Sequence, residues 1–309
     1  MSMFPERILL ATDGSEGAES ASRMAAALSG TLGSELHLVY AEIMPSFYYA
    51  EQVAVGLEEW DRLSGFAERE ARNLVTKEEE KLKETGTEVT AIHAEVGRPD
   101  ERIVALAEKI EADLILIGSR GLGGLRRALI GGVSDSVVRH AHCPILVVRK
   151  DERYEDGLPP TKILLAVDGS KESKEAARIA ANLASGTGSE LHITCVVPTA
   201  PERPYPHSYA MEAMVHHDAA FERAKEEVRE FLDDRKGEAR ALGVETVLAH
   251  LGLGHPDKEV VKLAEELDAG MIVLGSRGLG GIKRALMGSV SESVVRHAHC
   301  PVLVARVGS

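Results

Sequence analysis

The sequence predicts an α/β protein made of two tandem doubly wound parallel sheets. Three observations predict it. The chain repeats itself almost end to end, short apolar runs recur at the length of buried strands, and stretches of helical periodicity separate them. The 309 residues suit two domains at roughly 100–200 residues each.

The repeat is direct. Gly118–Arg149 and Gly275–Arg306 are identical at 25 of 32 positions, and most changes are mild, such as Leu125/Ile282, Arg126/Lys283 and Asp135/Glu292. The exchange that alters chemistry is Gly132/Ser289. Ile8–Ser15 matches Ile163–Ser170, and Ser34–Tyr40 matches Ser189–Cys195. The offset is 155 at Asp13/Asp168 and 157 at Pro99/Pro256, which places a two-residue indel in a loop between them. Each copy has the size of one compact domain, not of a solenoid unit. The predicted boundaries are residues 1–150 and 161–309. The stretch 151–160, charged and ending Gly-Leu-Pro-Pro, reads as a linker.

Within the first copy, Arg7–Thr12 has the length of a buried strand. Ala18, Ala21, Ala25, Leu28 and Leu32 then recur at helical spacing. Glu35–Glu42 reads as a second strand, Leu57–Thr85 as a long charged helix and Glu88–Glu95 as a third strand. Pro99 suits the first turn of a helix running to about Ile110, because its missing N–H is not needed there. Leu114–Ile117 is predicted as a fourth strand, Ser134–His140 as a short helix and Ile145–Val148 as a fifth strand. The second copy repeats the series with strands at Lys162–Val167, Glu190–Val197, Val244–His250, Met271–Leu274 and Val302–Ala305, and a short helix at Glu292–His297. Continuous apolar strands between helices imply a parallel sheet covered on both faces.

Composition narrows the function. Lys+Arg number 36 against 49 Asp+Glu, a net charge of −13 that disfavours general nucleic-acid binding. No apolar run approaches the about 18–20 residues of a membrane helix, and the first residues lack the apolar core of a signal peptide. The three cysteines are too few for a disulfide framework. A cytoplasmic protein without membrane partners is the expectation.

In a doubly wound sheet, ligands bind outside the carboxyl ends of the strands, at the switch point. Asp13 and Asp168 end the first strands there; a carboxylate in that place either binds a sugar hydroxyl or caps the next helix through Asp-Gly-Ser. After the fourth strand, Gly275-Ser-Arg-Gly278 leads to Gly288-Ser289-Val290-Ser291 at the start of a helix, whose free N–H groups suit a phosphate. The Ser289 and Ser291 hydroxyls can add donors, and Arg277, Lys283 and Arg284 add positive charge. A glycine-rich turn with a solvated basic face is the alternative. No G-x-x-x-x-G-K-[ST] and no G-x-G-x-x-G after the first strand is present.

These residues resemble a tandem universal stress protein, whose ATP-binding pattern is G-x2-G-x9-G-[ST]. The second copy has it complete in Gly275, Gly278, Gly288 and Ser289; the first has Gly118, Gly121 and Gly131, with Gly132 in the Ser/Thr position. The resemblance covers both copies nearly end to end. It implies five strands in the order 3-2-1-4-5 in each half, with ATP or another adenine nucleotide in the crevice and Mg²⁺ accompanying the triphosphate. It implies that Asp168 binds ribose, Ala166 and Val196 line the adenine pocket, Leu274 to Gly278 pass beneath ribose and phosphates, and Gly288, Ser289, Val290 and Ser291 hold the phosphates. The first-half counterparts are Ala11, Asp13, Ala41, Gly118, Gly121, Gly131, Gly132, Val133 and Ser134. It further implies that the halves, through the strands holding Val147 and Val304, pack like a dimer of such domains, with further homo-oligomerisation compatible.

Other features point elsewhere. His140-Ala-His142-Cys143 and His297-Ala-His299-Cys300 have metal-like spacing, but no separated second ligand pair accompanies them, so no metal is expected. His207, His216 and His217 read as solvated surface. Ile43–Gly56 and Val197–Met214, the least alike between copies, are lids, partner surfaces or variable loops. No residue stands out as the base for a hydrolytic water, so the expected role is regulatory nucleotide binding, with a slow ATPase or a scaffold holding inactive sites as alternatives.

Overall fold

The computed structural model describes residues 4–43, 57–119, 131–149, 158–198, 210–278 and 287–307. The chain divides into two compact units, with the main break between Pro159 and Pro160.

In the first unit the elements run β1 (Arg7–Ala11), α1 (Glu16–Leu32), β2 (Glu35–Glu42), α2 (Leu57–Glu84), β3 (Ala91–Val96), α3 (Pro99–Lys109), β4 (Leu114–Gly118), α4 (Gly132–His140) and β5 (Ile145–Val148). The second runs β6 (Lys162–Ala166), α5 (Lys171–Thr187), β7 (Glu190–Val197), α6 (Ala210–Ala241), β8 (Val247–Leu253), α7 (Pro256–Glu266), β9 (Met271–Gly275), α8 (Ser289–His297) and β10 (Val302–Ala305). Strands are hydrogen-bonded in the order β3-β2-β1-β4-β5 and β8-β7-β6-β9-β10, all parallel. Each unit therefore has the order 3-2-1-4-5, and the reversal of direction at the first strand opens a crevice between the carboxyl ends of the first and fourth strands.

The central strands are buried on both faces. Ile8, Leu9, Leu10, Leu114, Ile115 and Leu116 are inaccessible in the first unit; Ile163, Leu164, Ile272 and Val273 are inaccessible in the second. Helices α1 and α5 close over one face with Ala, Leu, Met24 and Ile179. Their starts and stops follow local chemistry. Ser15 and Ser170 accept from the N–H groups of Ala18 and Ser173, and Gly33 and Gly188 end the helices in the left-handed region.

Four elements begin two or more residues away from the sequence expectation. Both short helices begin earlier, at Gly132 and Ser289, because Gly131 and Gly288 take the extended N-cap conformation and the next residues are already helical. The third strands lie further along, at Ala91–Val96 and Val247–Leu253. They pair on one side only, and pairing with β2 and β7 sets their limits.

Candidate functional site

The first strands deliver their carboxylates to the crevice by the same device. Pairing of β1 with β2 ends where the Thr12 N–H donates to the Val39 carbonyl, and Val167 donates likewise to Thr194. The next residue is Asp13 or Asp168. Its Oδ1 accepts from the Ser15 N–H at 3.1 Å or the Ser170 N–H at 3.0 Å, an Asx turn that feeds straight into the capped helix. Gly14 and Gly169 stand between them at φ 74° and 83°, a conformation that disfavours any side chain. One oxygen of each aspartate thus shapes the turn, and the structural and ligand-binding readings of the residue are compatible.

The glycines after β9 have separate tasks. Gly275 packs on α5: a Cβ there would lie 2.8 Å from the Glu172 carbonyl carbon and 3.0 Å from the Ser173 nitrogen. Gly118 does the same on α1, where a Cβ would meet the Gly17 carbonyl carbon at 2.7 Å. The first glycine of the pattern is therefore a packing glycine. Gly278 instead faces the crevice, and a Cβ on it would stand 2.5 Å from Asp168 Oδ2. Gly288 folds back on the same loop: its N–H donates to the Ser276 carbonyl at 2.8 Å, and a Cβ would lie 3.4 Å from Arg277 Cα. The Ser170 hydroxyl donates to the Arg277 carbonyl at 3.3 Å, joining the loop to the Asp168 turn. One short loop thereby links the carboxylate of β6 with the start of α8.

At that start, Gly288 is the N-cap and offers no side-chain cap; the first helical bond is donated by Glu292 to the Gly288 carbonyl. The N–H groups of Ser289, Val290 and Ser291 lie in the first turn and have no acceptor within the helix. The Ser291 hydroxyl donates to the Gly275 carbonyl at 2.8 Å and is buried, so it holds the loop to the strand; its backbone N–H is what it has for an anion. Ser289 is exposed. The Ser276 hydroxyl is buried and has no hydrogen-bond partner among the described residues. Arg277 pairs with Glu172 at 3.1 Å, so part of its charge is neutralised within the unit. Lys283 and Arg284 lie outside the described residues.

The first unit repeats this frame. The Gly131 N–H donates to the Ser119 carbonyl at 2.8 Å, the Ser134 hydroxyl to the Gly118 carbonyl at 2.7 Å, and Gly132, Val133 and Ser134 form the uncapped first turn of α4. Around Gly132 a Cβ would meet nothing within 4 Å. Gly121 lies outside the described residues, as do most of the divergent stretches after β2 and β7. Ala11 is buried at the end of β1, Ala166 is half-buried at the end of β6, and Leu274 is buried within β9.

Ala41 and Val196 occupy matching, half-buried positions near the ends of β2 and β7. Beside them the halves diverge. The Tyr40 hydroxyl donates to Glu42 Oε2 at 2.7 Å; burial first, then Glu42 and the charges of Asp13 and Glu70, hold it protonated well above the usual phenol range. The matching Cys195 thiol is pushed up to about 11 by burial and then by the Asp168 charge, which makes it a poor nucleophile. Burial likewise pushes Cys143 up to about 12.

Two repeated clusters bring together residues that the sequence alone did not join. His37 Nδ1 and His93 Nε2 lie 3.0 Å apart, and His192 Nδ1 and His250 Nε2 lie 2.9 Å apart. Glu35 and Glu190 stand behind them, 3.8 and 3.4 Å from the other ring nitrogen. Their signal was the repeated Glu-Leu-His at the start of both second strands. The other cluster holds Ser136, Asp100 and His140, copied as Ser293, Asp257 and His297. Here the serine hydroxyl donates to the aspartate at 2.7 Å in both copies, and the histidine Nδ1 lies 2.8 Å from its own helix carbonyl, the Ser136 or Ser293 oxygen. The serine proton points to the acid instead of the imidazole, so this is a clamp between α3 and α4, or α7 and α8, and not a nucleophile with its base. Among the described residues no group of three or more His, Cys, Asp or Glu is arranged to hold a metal ion. No described helix is long and apolar enough to cross a membrane.

Fold and crevice together define a tandem doubly wound α/β protein with a carboxylate after the first strand and a helix start without a side-chain cap after the fourth in each repeat. The family model of the universal stress protein family matches residues 5–149 and again 160–306, and the chain belongs to that family. Universal stress protein Rv2005c of Mycobacterium tuberculosis is 30% identical over 198 residues, 63% of this chain and 62% of that protein, so the match spans about three fifths of its length. Universal stress protein MJ0531 of Methanocaldococcus jannaschii is 33% identical over 153 residues, 48% of this chain and 84% of that protein. The crystal structure of a universal stress protein from Archaeoglobus fulgidus shares the fold at a TM-score of 0.66 and 23% identity, covering 98% of this chain and 99% of that one.

Proposed function

We propose that this universal stress protein binds an adenine nucleotide, ATP foremost, at the strand carboxyl ends of each unit, and that the nucleotide regulates the protein instead of being turned over. The observation that carries this reading is the junction of Asp168, Gly278 and the uncapped first turn of α8 through one loop. A ribose hydroxyl would donate to the carboxylate, and the phosphates would accept from the N–H groups of Ser289, Val290 and Ser291 and from the Ser289 hydroxyl. The bare face of Gly278 and the unpartnered Ser276 hydroxyl suit a ligand lying along the loop. Ala166 and Val196 would border the base; Ala11, Asp13, Ala41 and the Gly131–Ser134 turn would serve the first unit. A Mg²⁺ ion would be held by phosphate oxygens and water, since a triphosphate brings its own hard oxygen ligands.

Mass spectrometry of the denatured purified protein, followed by calorimetry with ATP on the stripped full chain, tests the proposal. Adenine nucleotide carried through purification, or a saturable ATP heat, is expected. No heat and no thermal shift at millimolar ATP overturns it. Single-turnover hydrolysis faster than release would replace the regulatory reading with an ATPase.

A further inference from the structure

The grooves between the first two helices differ between the units. In the first, a cavity of about 1080 Å³ opens between α1 and α2; in the second, the space between α5 and α6 is about 450 Å³. Gly86 and Gly243, both at positive φ, align the two places. Arg23 and Arg178 stand at one position of the repeat. Arg178 is held by Glu175, with Nη2 2.6 Å from Oε1 and Nε 3.1 Å from Oε2. The residue matching Glu175 is Ser20. Arg23 therefore has the Ser20 hydroxyl 3.3 Å from Nη2 and no carboxylate partner among the described residues, and its Nε is buried without a hydrogen-bond partner. A guanidinium with unfilled donors at a cavity is uncommon in a folded chain. The same cavity is rich in carboxylates. Glu78 is buried and accepts from Lys81 Nζ at 2.6 Å, and Glu19 lies 3.9 Å from that nitrogen. Glu88 lines the cavity as well, with no ion-pair partner among the described residues. Glu35 is taken by Arg7 at 2.8 Å. One lysine thus stands against three carboxylates, while the arginine of the cavity stands without one.

We infer that this cavity binds a dibasic amino acid, its carboxylate on Arg23 and its two cationic groups among Glu19, Glu78 and Glu88. The charges select the class. A simple anion would meet Arg23 but face all three carboxylates. A diamine would answer the carboxylates and leave Arg23 as it is. An amino acid with a neutral side chain answers Arg23 and leaves one carboxylate in excess. A carboxylate with two cations matches both, and the planar fork of an arginine suits a carboxylate. The hydroxyls agree with this. Ser22 and Ser29 line the cavity and donate to the Ala18 and Ala26 carbonyls at 3.0 and 3.3 Å, so what they offer a ligand is lone pairs, which suit an ammonium group. The second unit has no such arrangement. At the positions of Glu78 and Lys81 it carries Arg235 and Glu238, paired with each other at 2.6 Å, and Ala177 replaces Ser22. The inference is independent of the nucleotide reading, since none of these residues belongs to the crevice.

Calorimetry on the full chain with L-lysine, L-ornithine and L-arginine tests this, with norleucine as the probe lacking the second cation and 1,5-diaminopentane as the probe lacking the carboxylate. At least one of the three dibasic amino acids is expected to give a saturable heat, with norleucine and the diamine about tenfold weaker or more. Arg23→Gln should weaken the amino acid about tenfold and leave the diamine unchanged, whereas Glu88→Gln should weaken both. Arg178→Gln, the same change in the second unit, should alter neither. Ser20→Glu gives the first unit the carboxylate that holds Arg178 in the second; it should occupy Arg23 and weaken the amino acid as Arg23→Gln does, while keeping the melting temperature of the parent. That variant decides the matter if Arg23→Gln folds poorly. Silence of all three dibasic amino acids at about 10 mM overturns the inference. So does equal binding of lysine, norleucine and the diamine, or a lysine affinity that neither Arg23→Gln nor Ser20→Glu changes.

Discussion

Gly278 lies against the carboxylate of Asp168, so close that a Cβ at position 278 would stand 2.5 Å from Oδ2. The loop that follows the fourth strand of the repeat thus touches the residue that ends the first strand. The contact is with the tip of a side chain, which can move, whereas a Cβ at Gly275 would meet the Glu172–Ser173 backbone and Glu172 Cβ, which move only with the helix. This difference separates a glycine that packs a helix from one that lies against a carboxylate within one pattern.

Gly278→Ala should weaken ATP binding at the second crevice by about tenfold or more, because Asp168 must turn away from the ribose position. The melting temperature without ligand should change little. Calorimetry and a thermal melt of the full chain check the two halves of this statement; an unaltered ATP affinity would remove Asp168 from the site.

Gly275→Ala should destabilise the fold by about 1–3 kcal/mol, since its methyl would push on the Glu172–Ser173 backbone. Gly118→Ala should do the same in the first unit. Chemical denaturation without ligand measures it, and a neutral result would show that the helix can shift away from the strand.

Ser289→Ala should weaken ATP about 10- to 100-fold, the value of a hydrogen bond to a charged group of about 1.5–3 kcal/mol, and leave adenosine nearly unaffected. Gly132→Ser should strengthen ATP binding in the first unit, where open space around the glycine admits the side chain. Ser291→Ala removes a buried bond to Gly275 and should act on stability, by about 1–2 kcal/mol, more than on affinity. Binding titrations of ATP and adenosine on each variant decide whether the exposed hydroxyl is the phosphate ligand.

The imidazole pairs predict a pH dependence of stability. Burial lowers His37, His93 and His250 from the ordinary histidine value, with Arg7 adding to it at His37, His37 and Lys109 at His93, and His192 at His250; Glu35 opposes it at His37. A histidine lowered in the folded state binds its proton more readily when unfolded. Its contribution is therefore fully present above about pH 6.5 and is lost as pH falls below that value toward the folded one. Replacing His93 and His250 with Gln should flatten the stability curve between about pH 6.5 and 5. Denaturation at a series of pH values tests this, and parallel curves for parent and variant would exclude the pairs as its source.

Much of this was legible in the chain. The duplication and the five strands per unit follow from patterns a few residues long, because turns and periodicity are local properties; the cap that the sequence offers to Asp13 and Asp168 falls instead on Ser15 and Ser170, two residues on. The glycine pattern and the strand-one aspartates marked the crevice for the same reason. What each residue does there was settled by contacts between segments far apart in sequence. Asp168 meets Gly278, Ser291 bonds Gly275, Arg277 pairs with Glu172, and His37 finds His93 only after the strands take their register. The sequence by itself determined the fold class and the family. The tertiary structure decided which glycine packs a helix and which bares a carboxylate, which serine hydroxyl is committed to the strand, and that Glu95 stands opposite Ala41 where Gly252 stands opposite Val196. The physical reason is that burial, charge and hydrogen bonding at a crevice depend on neighbours brought in by sheet order, and sheet order is not a local property.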